Sequence, residues 1–148
     1  MIKQTFHPID NSTADSEITC AAVSPDSQYY AWASLNGTID FATVAGRILH
    51  KKVGNEVRGI SISKGGKFWV YGLNKSIYYL DKRGEIFWEQ DLPDWIENIE
   101  ISPDASMVGI SCSNGSFYIY SNEGNLLWTK NMCSPISRIF FSADGWTL

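Results

Sequence analysis

The side chains with chemistry to offer are few and mostly acidic. Glu89, Asp91, Asp94 and Glu97, with Glu100 just beyond them and Trp95 in their midst, crowd into one short stretch. Carboxylates at that density around an aromatic ring suit a cation or a basic peptide, and loops that carry such groups are where ligands dock. A solvated loop is the plainer reading of the same residues. His7 and His50 are the only histidines, and Cys20, Cys112 and Cys133 the only cysteines. Their spacing forms neither a disulfide framework nor a CxxC metal knuckle, so ordinary reduced thiols are expected. Nucleophilic catalysis needs a nucleophile, a base and an orienting group brought together, and no Gly-x-Ser-x-Gly elbow or comparable signature marks one. No catalytic residue, cofactor or metal site is therefore expected. The oxygen-rich stretch Asp10 to Asp15 lacks the glycine and terminal glutamate of a calcium loop and reads as part of a flexible leader. Asn11-Ser12-Thr13, Asn36-Gly37-Thr38, Asn74-Lys75-Ser76 and Asn114-Gly115-Ser116 match the N-glycosylation pattern. The last three sit at hairpin turns, where asparagine is expected to serve positive φ.

Charge and hydropathy narrow the partner class. The net charge of −4 and the absence of a basic stripe argue against nucleic acid and anionic membrane, which need clustered Lys and Arg. The opening residues Met1 to Pro8 lack the apolar run of a signal peptide, and no later segment approaches a membrane span. A cytoplasmic location is expected.

The elements that must position these groups emerge from an internal repeat. Ser24-Pro25-Asp26 recurs as Ser63-Lys64-Gly65, Ser102-Pro103-Asp104 and Ser142-Ala143-Asp144. Asn36, Asn74 and Asn114 form a second row, Gly46, Gly84 and Gly124 a third, and His50, Trp88 and Trp128 a fourth. Between the landmarks lie four strands per repeat. Strand A is predicted at 18–23, 57–62, 96–101 and 136–141, strand B at 28–33, 67–72 and 106–111, strand C at 38–43, 76–80 and 116–120, and strand D at 47–53, 85–90 and 125–130.

The middle strands do not alternate apolar with polar residues. Tyr29-Tyr30-Ala31-Trp32, Phe68-Trp69-Val70-Tyr71 and Tyr118-Ile119-Tyr120 are apolar in succession, so both faces must be covered. Sheets stacked face to face accomplish this, and at ~25 cal/mol per Å² each aromatic of ~150–250 Å² contributes only if a neighbouring sheet covers it. The expected fold is all-β: β-propeller blades of four antiparallel strands, about three and a half of them, with the ring incomplete. The predicted boundaries are a flexible leader or latch strand at 1–16 and a partial propeller at 17–148, with blades at 17–55, 56–94 and 95–134 and a partial blade at 135–148.

Ile99-Glu100-Ile101-Ser102-Pro103-Asp104, Ser116-Phe117-Tyr118-Ile119-Tyr120 and Gly124-Asn125-Leu126-Leu127-Trp128 together resemble WD-repeat-like and quinoprotein-like (PQQ-like) propeller blades, a likeness covering residues 17 to 148. The Gly-His opener and the Trp-Asp close of strand C are absent; Leu80-Asp81 and Tyr120-Ser121 stand there instead. Asp81, Gly84 and Trp88 look like a shortened form of the quinoprotein tryptophan-docking motif, without its threonine. The resemblance implies a blade type and not a redox enzyme. It casts Trp32, Trp69, Trp88, Trp128, Gly46, Gly84 and Gly124 as structural blade residues, with His50 replacing tryptophan in the first repeat. Asp40, where later repeats have Tyr78 and Tyr118, implies a first blade whose outer face is differently covered.

The expected function is a non-catalytic interaction or scaffold module, with a protein partner at the rim loop Glu89, Asp91, Asp94, Trp95 and Glu97. The alternative is the propeller portion of an enzyme, a quinoprotein-like dehydrogenase or propeller-associated hydrolase, whose active groups lie in other segments. Two readings of the open ring stand side by side: the sequence is the N-terminal part of a longer propeller protein, or two chains self-associate through their open blade faces.

Overall fold

The computed structural model describes residues 16–143. The expectations placed on the leader, including a latch strand at residues 2–6, and on strand B of the fourth repeat lie outside those residues.

The first sheet contains β1 (Ile18–Val23), β2 (Tyr29–Ser34), β3 (Thr38–Thr43) and β4 (Gly46–Lys52). The second contains β5 (Val57–Ile62), β6 (Phe68–Leu73), β7 (Ser76–Asp81) and β8 (Ile86–Asp91). The third contains β9 (Ile96–Ile101), β10 (Met107–Cys112), β11 (Ser116–Ser121) and β12 (Leu126–Asn131). Each is an antiparallel meander in chain order, the expected blade. Successive blades meet through their first strands, β1 on β5 and β5 on β9, and the ring is not closed.

Strand A falls where the sequence places it, but β2, β6 and β10 each begin one residue late. The turn explains the shift. Ser24 Oγ donates to Asp26 Oδ1 (2.6 Å) and accepts from Tyr29 N (3.0 Å), and Ser24 N donates to Tyr29 O, so Gln28 is held inside the turn. Ser102 repeats the arrangement with Asp104 and Met107. The third residue after the serine is left-handed in all three blades: Ser27 (φ 58°), Gly66 (60°) and Ala105 (66°). Adjacent turns are also stitched together, Gly65 N donating to Asp26 Oδ2 (2.9 Å) and Lys64 N to Pro103 O (2.8 Å).

The B–C turns correct the expectation for asparagine. Only Asn74 has positive φ (57°); at the other two turns the left-handed residue is the glycine, Gly37 (77°) or Gly115 (81°). Gly37 N bonds Ser34 O, which makes Leu35-Asn36 the centre of a turn followed by a left-handed glycine. Asn36 and Asn114 serve through their side chains, accepting from Thr38 N (3.1 Å) and Ser116 N (2.8 Å).

The fourth-repeat segment expected as strand A, residues 136–141, forms no ladder among the described residues. A strand is defined by its pairing, and the partner assigned to this one lies outside them. The segment nonetheless packs against the third blade: Ser111 Oγ donates to Ile136 O (3.1 Å) and Ile139 is buried.

The core lies between blades rather than within them. One cluster joins Ala31, Ala33, Ile39 and Phe41 of the first blade to Val57, Ile60, Trp69, Tyr71 and Leu80 of the second. The other joins Val70, Ile77 and Tyr79 to Ile96, Ile99, Val108, Ile110 and Tyr120. Phe41 stacks on Trp69 at 5.8 Å and 7° across the first interface. Covering both faces of the second blade is what its continuous apolar strands require.

The shared left-handed position gives a test of opposite signs. Ser27→Gly relieves an exposed left-handed residue and is expected to stabilise by about 0.5–1 kcal/mol. Gly66→Ala places a Cβ about 2.5 Å from the Tyr29 ring and is expected to destabilise by about 2 kcal/mol or more, both read from urea midpoints at constant m.

Candidate functional site

Each interface is completed by an outer-strand side chain laid on the next blade's C–D turn. Trp88 on β8 stacks on Tyr79 (5.2 Å, 10°), lies over Gly124 of the third blade, and donates from Nε1 to Asn122 O (3.0 Å). A Cβ on Gly124 would fall 3.0 Å from Trp88 Cγ, so glycine both permits the turn (φ 82°) and makes room for the ring. At the first interface Leu49, not His50, fills this role: a Cβ on Gly84 would meet Leu49 Cδ2 at 2.8 Å.

That corrects the fourth landmark row. In the first blade Asp40 pairs with His50 and Phe41 with Leu49, whereas Tyr78 pairs with Glu89, Tyr79 with Trp88 and Ile119 with Trp128. The first C–D connection is one residue shorter, Thr43 pairing directly with Gly46. Counting forward from the glycine therefore overshoots by one. Gly46 is correspondingly unlike Gly84 and Gly124: it opens β4, with φ 133° and no atom within 4 Å of a would-be Cβ. His50 is a polar partner and not a packing substitute. Its Nδ1 lies 2.8 Å from the buried Asp40 Oδ1, which also receives Arg47 Nη1 at 3.2 Å. Asp40 thus brings a guanidinium and an imidazole as polar partners to a position that is aromatic in the later blades.

Trp69 is fully buried and donates from Nε1 to Asp81 O (2.7 Å), while Trp32 is half-buried and stacked on Tyr30 at 5.9 Å. Trp128 differs from its equivalent Trp88. It makes an edge contact with Phe117 (5.7 Å) but is 45% exposed, and Leu126, Leu127, Met132 and Phe140 are exposed as well. A hollow lined by Phe117, Trp128, Met132, Ile136, Ile139 and Phe140, with Arg138 among them, lies beside Trp128.

The rim residues are brought together only in part. Glu89 and Asp91 stand on β8, Glu97 on β9, and Asp94-Trp95 in the connection between them. Trp95 is 46% exposed, its N–H bonded to Asp94 Oδ1 (2.8 Å) and its carbonyl accepting from Ser113 N (2.9 Å). Asp91 Oδ1 accepts from Ser76 Oγ. Burial pushes the Cys112 thiol up to about 11, with Asp94 and Glu97 adding to it. Among the described residues no group of three or more His, Cys, Asp or Glu is placed to hold a metal ion.

Glu100 does not belong to this rim. It sits on β9 beside the axis, in a cleft where the innermost segments of all four repeats converge. Burial drives its carboxyl up to about 7, against a hydrogen bond from Ser61 that favours the ion. Nothing in the run of acidic letters separates Glu100 from Glu97; only the register of β9 on β10 does.

No family model matches the chain, and no curated protein does. Among solved structures, hydrazine synthase from Kuenenia stuttgartiensis superposes with a TM-score of 0.75 at 16% identity, over 98% of this chain and 43% of that one. Likeness at that identity shows the fold, a β-propeller-type arrangement. The chain spans less than half the length of that neighbour. No helix among the described residues is long and apolar enough to cross a membrane.

Two measurements follow from this geometry. Trp88→Ala is expected to cost about 2–4 kcal/mol, because it empties an interface and strands Asn122 O, whereas Trp128→Ala should cost about 1 kcal/mol or less. Equal losses in chemical denaturation would show that Trp128 is already covered. For Glu100, the folded chain holds its proton more tightly than the unfolded chain, whose carboxyl titrates near 4.5. Stability should fall as pH rises from about 4.5 to about 7, by about 1–2 kcal/mol after allowing for partial solvent access. Glu100→Gln should flatten that slope.

Proposed function

We propose that the chain is a non-catalytic β-propeller docking module of the WD-repeat-like or quinoprotein-like type, and that its third blade takes up a further sheet through an unfilled copy of its own interblade contact. The observation that carries this is the contrast between two equivalent tryptophans, Trp88 docked on Gly124 and Asn122, and Trp128 exposed in the same register. The resemblance to quinoprotein-like blades is supported by the same contact, an indole laid on a glycine turn with Nε1 bonded to a carbonyl.

The occupant we assign to that face is a second copy of this chain. Within the chain, the face that covers a preceding blade carries Trp69, Tyr71 and Leu80, with Gly84 at its turn. Trp32, half-buried, and Ala42 hold the registers of Tyr71 and Leu80 in the first blade. A head-to-tail contact of that kind is heterologous, and two such contacts close a ring. An exposed apolar patch of several hundred Å² is otherwise an aggregation liability. The rim around Trp95 then serves as a second, acidic contact for a protein partner, with Asp91, Asp94 and Glu97 on it and Glu89 on the adjoining strand.

Sedimentation equilibrium tests the reading. The chain at tens of micromolar is expected to self-associate, and Trp128→Glu to return it to monomer with its fold intact by circular dichroism. A wild-type chain that stays monomeric, or a Trp128→Glu variant that associates equally, would overturn it.

A further inference from the structure

The axial cleft is a second feature, which shares Arg138, Ile139 and Phe140 with the hollow beside Trp128. It has a volume of ≈ 430 Å³ and is lined by Thr19 and Cys20 of β1, Arg58 and Gly59 of β5, Asn98 and Glu100 of β9, and Arg138 of the fourth repeat. That volume falls in the range of small-molecule sites. The four repeats contribute the same register, with Cys20, Gly59, Asn98 and Arg138 as equivalent positions, so side chains far apart in the sequence converge on one space. Gly59 lets β9 approach: a Cβ there would fall 2.8 Å from Ile99 Cγ2.

The hydrogen-bonding character of the lining is one-sided. The Asn98 amide and the Arg138 guanidinium have no hydrogen-bond or ion-pair partner among the described residues, and Arg58 is held only by the exposed pair to Glu56 (3.3 Å). Thr19 Oγ1 donates to Val57 O (3.2 Å) and is occupied. The charged and titratable groups facing the cleft are Arg58 with Glu56 from the β5 side, Arg138 from the fourth repeat, Glu100 on β9 and the Cys20 thiol on β1, pushed up by burial to about 11. Glu97 lies on β9 at the rim and Cys112 on β10, away from the lining. Two guanidinium groups, one of them without a partner among the described residues, set against the Asn98 and Glu100 oxygens, favour a ligand that is negatively charged and rich in acceptors.

We propose that this cleft binds a small organic carboxylate, with Arg138 and Arg58 supplying the counter-charge, Asn98 a neutral donor, and the Glu100 carboxyl lining the same space. A planar guanidinium matches the two oxygens of a carboxylate, and a neutral carboxyl adds a hydrogen bond where an ionised one repels. Binding is thus coupled to proton occupancy at Glu100, tightest where that carboxyl is neutral and weakening as it ionises.

Isothermal titration calorimetry of the chain with succinate at pH 6 and pH 8 tests the assignment, with sulfate as the comparison anion. Saturable binding of one succinate at pH 6 is expected, about tenfold weaker at pH 8. Arg138→Gln should weaken it by about tenfold or more at both pH values. Glu100→Gln, which keeps a neutral group of the same shape, should bind equally at both. The proposal fails if succinate does not saturate at pH 6, or if sulfate binds as tightly. It also fails if Arg138→Gln changes affinity by less than about twofold, or if the pH response survives in Glu100→Gln. Repeating the titration at protein concentrations where sedimentation shows a monomer separates this outcome from that of self-association; Trp128→Glu does not serve for this, because Arg138 lines both the cleft and the hollow beside Trp128.

Discussion

The structure depends on one constraint: the middle strands of each blade are apolar on both faces, so no blade is stable until another sheet lies on each side of it. Trp69 and Val70 are neighbours in sequence, point to opposite faces, and are both fully buried, one against the first blade and the other against the third. At ~25 cal/mol per Å² the rings between blades supply much of the hydrophobic stabilisation, and they supply it only across interfaces. A repeat protein built this way is stabilised by neighbour contacts, and the blades at either end of the described arc differ from the one between them.

The repeat made most of this legible in the sequence. Serine-led turns fixed strand A in three blades, and unbroken apolar runs in the middle strands required stacked sheets. What escaped the letters turned on single residues. The first C–D connection is one residue shorter than the others, so Leu49 and not His50 takes the tryptophan position, and a landmark count cannot see that. Asn36 and Asn114 work through side-chain oxygens rather than through positive φ because the following glycine takes the left-handed place. Residues 136–141 have strand-like composition, yet composition does not provide a pairing partner.

The candidate sites were legible in a different degree. The acidic rim and its tryptophan could be named from the sequence, because they fall within one short stretch of it. The axial cleft could not, since Arg58, Asn98, Glu100 and Arg138 come from three repeats and only blade-on-blade packing makes them neighbours. Glu100 shows the point most directly: it reads as one more loop carboxylate, yet strand alternation turns it to the axis, where burial changes its acidity. A rigid stack leaves its architecture to packing between blades and its chemistry to the rim and axis.

Amide hydrogen exchange across the three blades tests the governing constraint most directly. The account requires β6 and β7, covered on both faces, to exchange slowest, with β11 and β12 exchanging faster in dilute solution and gaining protection as protein concentration rises and a second sheet settles over Trp128. Equal protection in all three blades, unchanged by concentration, would contradict it.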